Sequence, residues 1–182
     1  MPYSLIELNQ ISQEEFTQAL GEIFEHTPNI ARSTWDDRPF ASTADLQAKM
    51  VTVVSAMTQA EKLALIQAHP DLGSKAKMAQ ASVSEQAGAG LDRLSVEEFD
   101  RFQYLNREYR KKFSFPFIVA VKNHTKTSIL EAFKQRLDNS IETEMQQALA
   151  EICEIARFRI ESVIETEDWS PHYELISLFA QV

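Results

Sequence analysis

The chain has 182 residues, 44% of them hydrophobic, enough for one domain around one buried core. Its formal net charge of −9 offers no basic stripe to nucleic acid and no attraction to an anionic membrane surface. No apolar run approaches the roughly 18 residues of a spanning helix, Met1-Pro2-Tyr3-Ser4 lacks the basic start and apolar core of a signal peptide, and the single cysteine, Cys153, cannot close an internal disulfide.

Only four Gly and six Pro interrupt a sequence dominated by helix formers, and β-branched runs are confined to Val51-Thr52-Val53-Val54 and Ile118-Val119. The expected class is therefore all-α. Ser12 and Glu15 form a capping box, and Phe16, Leu20, Ile23 and Phe24 recur at helical spacing, which predicts a helix over 13–25 after a short start containing Ile6 and Leu8. The stretch from Trp35 to Phe40 reads as irregular, with aromatic anchors packing on neighbouring helices. Thr43 is expected to cap a helix whose inner face is Leu46, Met50, Val53 or Val54, and Met57; Thr58 and Glu61 then open another with Leu63 and Ile66 inward.

That helix must stop at His69, because the residue before a proline is pushed out of the α region. His69 thus stands at a helix C-terminal end, which favours a protonated ring. It is either a charge answering that end or a proton-transfer group. The segment continues Pro70-Asp71-Leu72-Gly73 and, after a polar bridge, reaches Ser84-Glu85-Gln86. An imidazole and a carboxylate are the side chains most used for proton transfer near neutral pH, and a short loop can bring His69 and Glu85 to one pocket. Against that, Ser82 and Glu85 fit a capping box, and Gln86 can simply be exposed.

Ser95 and Glu98 open the next helix, with Phe99, Phe102, Leu105, Tyr109 and Phe113 inward and Arg101, Arg107, Arg110 and Lys111 on a solvated face. Phe113 to Val121 is apolar and interrupted by Pro116, so it reads as extended, a pocket wall whose backbone groups are free to bond a ligand. Thr127 is expected to cap a helix with Ile129 or Leu130, Phe133 and Leu137 inward. The last long helix, over 141–165, carries Met145, Leu149, Ile152, Ala156 and Val163 on one stripe. At about 100° per residue Arg159 falls near the centre of that stripe and Arg157 points well away. An inward arginine needs an anionic partner, either a ligand or an internal salt bridge. The apolar tail from Trp169 to Phe179 suits docking on the body or on a second subunit.

Metal chemistry has little support: His26, His69, His124 and His172 are scattered, and no paired-His or Cys-x-x-Cys spacing occurs. Phosphate loops and dinucleotide fingerprints are missing too. Cys153 reads as a packed thiol with no activating base nearby. No repeat or linker divides the chain, so one domain over 1–182 is expected.

Four separated points carry a resemblance: His69-Pro70-Asp71-Leu72, Ser84-Glu85-Gln86, Phe115-Pro116-Phe117, and Ile155 with Arg159. In that order and spacing the chain resembles the 2-oxo-4-hydroxy-4-carboxy-5-ureidoimidazoline (OHCU) decarboxylase family, from the Phe40 region to about Ile164. The resemblance implies a single compact bundle of about seven to nine helices, usually a homodimer, and a cofactor-independent carboxy-lyase acting in the last step from urate to (S)-allantoin. It implies catalytic roles for His69, Glu85 and Arg159, with His69 moving the proton, Glu85 positioning substrate donors and biasing the imidazole, and Arg159 holding an oxygen bidentately. Substrate contacts would come from Pro70, Gln86 and the backbone of Phe117, Ile118, Val119, Ala120 and Val121. No cofactor or metal is implied. The chain has no room for a fused enzyme of the preceding steps, and Ala180-Gln181-Val182 is not a peroxisomal tripeptide, so a cytoplasmic location is expected. Two competing readings are a non-catalytic helical interaction module, which requires no pocket joining the three residues, and a hydrolase of a related ureide.

Overall fold

A computed structural model of the chain describes residues 2–73 and 80–165. Among them the chain is helical: α1 (Leu5–Gln10), α2 (Gln13–Leu20), α3 (Asn29–Thr34), α4 (Thr43–Ala56), α5 (Gln59–Gln67), α6 (Gln80–Gly88), α7 (Val96–Phe113), α8 (Lys126–Arg136) and α9 (Ile141–Val163). Short 3₁₀ turns cover Trp35–Asp37 and Val121–Asn123. No strand forms among the described residues beyond a β-bridge from Tyr3 to Ile164. The apolar tail expected from Trp169 lies outside the described residues, as do residues 74–79.

Helix starts follow the local chemistry of orphan N–H groups. Ser12, Thr58 and Ser95 each accept the N–H three residues on, while Glu15, Glu61 and Glu98 return a carboxylate to the cap N–H. Two expected caps are shifted. Ser42, not Thr43, caps α4 through Asp45 N–H, and Thr125, not Thr127, caps α8, with Ser128 standing where such boxes usually hold a glutamate. A further box, Ser4 with Glu7, starts α1, which the sequence reading left unassigned; with only Leu8 buried it shows no amphipathic repeat.

The helix expected over 13–25 stops at Leu20. Ile23 N–H donates to Leu20 O at 3.1 Å and Thr27 N–H to Phe24 O at 3.1 Å, turns that keep Ile23 and Phe24 buried without continuing the helix. Three-residue turns preserve facing, so periodicity alone cannot distinguish them from α-helix. In α5 the buried pair is Leu65 and Ile66, Leu63 being only partly covered.

α9 packs against α4, α5 and α7. Its buried face is Glu144, Ala148, Ile152, Ile155, Ala156, Arg159 and Ile160, so the stripe is rotated from the expected one, and Met145, Leu149 and Val163 lie at its edge. The rotation was hidden because Glu144, a carboxylate, occupies an inner position. It accepts hydrogen bonds from Tyr109 Oη, from Arg136 Nε at 2.7 Å and from Asn139 Nδ2 at 2.7 Å. Arg136 in turn donates to Ile118 O at 2.6 Å and lies over the Phe117 ring, 4.4 Å from its centroid.

After α7, which Ser114 ends at a left-handed φ of 64°, the chain lacks regular structure over 116–120, a shorter stretch than the expected Phe113 to Val121 because Phe113 closes α7 and Val121 opens a 3₁₀ turn. Phe115 and Phe117 enter an aromatic cluster with Tyr109, Phe113 and Phe133; the Phe117 and Phe133 rings stack at 3.8 Å. Fully burying each such ring contributes about 1.5–3 kcal/mol. The pocket wall is therefore anchored from behind.

Candidate active site

The loop after α5 is pinned residue by residue. Arg110 Nε donates to both Asp71 oxygens at 2.8 and 3.0 Å, Asn106 Nδ2 to Leu72 O at 2.9 Å, and Gly73 N–H to Gln86 Oε1 at 2.9 Å. Gly73 has φ +65°, a left-handed conformation that favours glycine. Gln86 is buried, not exposed.

His69 is 6% exposed. Its Nδ1 lies 3.0 Å from Leu65 O, and a carbonyl can only accept, so Nδ1 carries the hydrogen. The neutral ring then has its lone pair on Nε2, which is buried and has no hydrogen-bond partner. Burial pulls the His69 pKa down to about 4, against the opposing pulls of the Leu65 bond and of Glu25. The expectation that the helix end would favour a protonated ring is therefore reversed: desolvation outweighs the helix dipole. At neutral pH the group is a free base. Between about pH 4 and 6.5 the unfolded chain binds more protons at this histidine than the folded one, so its neutral burial makes stability fall as pH drops through 6.5 toward 4. Correspondingly, kcat/KM should show no His69 limb between pH 6 and 8 and an acid limb near pH 4; a limb near 6.5 in the measured profile would mean that His69 titrates as an ordinary exposed imidazole.

Ser82 and Glu85 lie inside α6, which starts at Gln80, so the alternative of a capping box at Ser82 is excluded. Ser82 Oγ donates to Glu25 Oε2 at 2.7 Å. Arg159, 4% exposed, faces inward as its phase on α9 requires. Its Nε and Nη2 form a fork on Glu85 at 2.8 and 2.9 Å; Nη2 also donates to Ser82 Oγ at 3.0 Å. Nη1 donates to Glu25 Oε2 at 3.2 Å and toward the carbonyls of Glu22 and Ile23 at 3.3 and 3.4 Å. Every guanidinium N–H thus has a protein acceptor, and the bidentate grip expected on a substrate oxygen is made on Glu85 instead. Arg157 faces outward but is not simply solvated: it is half-buried, pairs with Glu154 and Glu161, and stacks on Phe158.

A narrow, half-open cleft with a cavity volume of about 40 Å³ is lined by His69, Pro70, Glu85, Gln86, Arg159 and all of Phe117, Ile118, Val119, Ala120 and Val121. The structure therefore brings together every residue singled out from the sequence. Along the wall, Ile118 O is taken by Arg136 and Ala120 N–H by Glu151 at 2.9 Å. Among the described residues no acceptor meets the N–H groups of Ile118, Val119 and Val121. Leu72, Ser82, Lys122, Ile155 and Phe158 complete the lining; none was expected to contact substrate, although Leu72 and Ile155 stood in the motifs and Ser82 was read as a cap. Ile155 and Phe158 were available in principle, being on the face of α9 that carries Arg159. Glu25 also escaped notice, although an acidic residue directly after the apolar pair Ile23-Phe24 is a signal. Cys153 does not line the cleft, and burial raises its thiol pKa.

A buried neutral base, a carboxylate fixed by a guanidinium, unpaired backbone donors and apolar walls define an all-helical enzyme cleft suited to proton transfer on a small, planar, polar molecule. Residues 9–161 match the OHCU decarboxylase family, and the chain belongs to that family. It is 43% identical over 162 residues to the 2-oxo-4-hydroxy-4-carboxy-5-ureidoimidazoline decarboxylase of Halalkalicoccus jeotgali, covering 89% of this chain and 92% of that one. Identity to the uric acid degradation bifunctional protein PucL of Bacillus subtilis is 45% over 162 residues, 89% of this chain but 33% of that longer protein. The fold superposes on the crystal structure of (S)-allantoin synthase with a TM-score of 0.76 at 31% identity, covering 92% of this chain and 56% of the other.

Proposed function

We propose that the chain decarboxylates OHCU to (S)-allantoin and CO2, with His69 as the proton-transfer group and Glu85 and Arg159 completing the catalytic set. The observation that carries this reading is the buried, unpartnered Nε2 of a neutral His69 in the same cleft as the Glu85–Arg159 pair. In OHCU the carboxyl and hydroxyl groups share ring carbon 4. Breaking the bond to the carboxylate releases CO2 and leaves its electron pair in the conjugated ring. Nε2 takes the hydroxyl proton as that oxygen becomes a carbonyl, and the imidazolium returns a proton to carbon on one face. A further proton from solvent balances the charge that the carboxylate carried. Glu85, its two oxygens held by Arg159, has lone pairs left for the N–H donors of the ureido group. The free N–H groups of the wall suit the substrate's carbonyl and carboxylate oxygens, and Pro70 and Gln86 shape the floor.

The interaction-module reading required that no pocket join His69, Glu85 and Arg159, and all three line one cleft. Mixing the protein with freshly generated OHCU should release CO2 and give allantoin of the S hand, followed by circular dichroism. Turnover without CO2 would favour the ureide hydrolase, and no turnover would remove the enzyme reading. We further propose one domain over 1–182 acting as a cytoplasmic homodimer. Light scattering tests the dimer: a single species of monomer mass at micromolar concentration would exclude it. Among the described residues no helix is long and apolar enough to cross a membrane.

The chemistry assigned to the protein needs no metal, and no group of three His, Cys, Asp or Glu side chains among the described residues could hold one. Chelators should therefore leave kcat unchanged. Loss of activity on dialysis against EDTA, restored by one divalent ion, would overturn the cofactor-free assignment.

A further inference from the structure

Glu25 lies in the turn between α2 and α3, is 0% exposed and does not line the cleft. Its Oε2 accepts from Ser82 Oγ at 2.7 Å and from Arg159 Nη1 at 3.2 Å, and its Oε1 is 3.9 Å from His26 Nε2. The following residue, His26, takes a left-handed φ of 49°, an uncommon conformation for a residue with a side chain. Two carboxylates, Glu25 and Glu85, thus share the Arg159 guanidinium. Both carboxylates are held by one guanidinium, so the hold of Glu25 on Nη1 helps to set how Nε and Nη2 present Glu85.

We propose that Glu25 is a positioning residue for the reaction: it closes the far side of Arg159 and Ser82, so that the guanidinium presents Glu85 to the cleft in one orientation, and its charge supports His69 as proton acceptor. This assignment rests on the function proposed above. Among the described residues, the charged and titratable groups that act on His69 or share its cleft are Glu25 and His26 from the α2–α3 turn, Glu85 from α6, Lys122 from the wall and Arg159 from α9. Arg159 and His26 weaken the ring's hold on a proton, whereas Glu25 strengthens it. The biasing of the imidazole that the sequence reading gave to Glu85 thus falls on Glu25. Without it, Arg159 would face the histidine less compensated, and its Nη1 edge would lose the one side-chain partner it has among the described residues.

Glu25→Gln keeps the size and one acceptor oxygen but removes the charge. We expect a folded protein with kcat reduced about tenfold or more, KM within about twofold, and the acid limb of kcat/KM, measured by pH jump, displaced below its wild-type position. Glu25→Asp, which keeps the charge one methylene further back, should restore the limb but only part of kcat. A folded Glu25→Gln with wild-type kcat and an unmoved acid limb overturns the proposal. If Glu25→Gln fails to fold, Glu25→Asp decides: wild-type kcat there overturns it, and reduced kcat with the limb retained supports it. NMR titration of His69 in the same variants needs no substrate. A displaced His69 titration in Glu25→Gln, with wild-type protein inert toward OHCU, would uphold the link from Glu25 to His69 while removing the proposed function.

Discussion

His69→Asn is expected to lower kcat for OHCU about a thousandfold while leaving the fold intact. General acid–base groups typically contribute about a hundred- to ten-thousandfold, and His69 is the one imidazole among the described residues lining the cleft. Asn is the informative replacement because its amide nitrogen can take over the bond that Nδ1 makes to Leu65 O, keeping the end of α5 in place. What disappears is Nε2, the atom with a lone pair and no partner. Thermal unfolding of the variant should therefore resemble wild type, and it should become less sensitive to acid between pH 6.5 and 4, since the buried neutral imidazole is gone. The product also carries information. If the imidazolium delivers the proton to carbon, the residual product of His69→Asn should lose handedness, because solvent protonates both faces. Wild-type turnover in the folded variant, or unchanged optical purity at the reduced rate, would take His69 out of the carbon protonation step.

The positions of His69, Arg159 and the extended wall were legible because each follows from a rule with short range, whereas Glu85, which read equally as a helix cap, was carried by the family resemblance. Pro70 stops a helix, a guanidinium on an apolar stripe must face a partner, and a proline-interrupted apolar run cannot be a helix of ordinary length. The same locality explains what was missed. Glu144 and Glu25 are carboxylates in the interior, and their partners are 35 and 134 residues distant in sequence for Tyr109 and Arg159 respectively. Glu144 also has Arg136 and Asn139 within eight residues, but they lie on α8 and the turn after it, whose approach to α9 no helical periodicity gives, so hydrophobicity places both carboxylates on the surface and rotates the stripe of α9 accordingly. The protonation of His69 failed for a related reason. A helix end is visible in sequence, but the walls that desolvate the ring come from other parts of the chain, and their contribution is the larger one. The roles of the arginine were legible only in part: its direction follows from phase, whereas its engagement by Glu85, Ser82 and Glu25 depends on where α6 and the α2–α3 turn arrive.

Arg159 and Arg157 make the sharpest contrast, being identical in chemistry and two residues apart on α9. Arg159→Lys keeps the charge but replaces five oriented donors by three on a single nitrogen, and one ammonium cannot hold both Glu85 oxygens, Ser82 and Glu25 at once. Glu85 would then lose its fixed orientation, and displacing a catalytic group by about 1 Å can reduce rate about a hundredfold. We expect kcat to fall by about that factor. Because the guanidinium is engaged by protein groups, the loss should appear in kcat more than in KM, whereas a direct grip on substrate in the ground state would raise KM as well. Arg157 pairs with Glu154 and Glu161 along its own helix and stacks on Phe158, contacts that a lysine partly replaces and that do not touch Glu85. Arg157→Lys should leave kcat within about twofold, since an exposed pair of this kind contributes little and reaches the cleft only through Phe158. Steady-state turnover of the two folded variants beside wild type decides the matter. A loss at Arg157 equal to or larger than that at Arg159 would place the functional face of α9 two residues from where its phase puts it, and the Glu85–Arg159 pair would no longer explain the site.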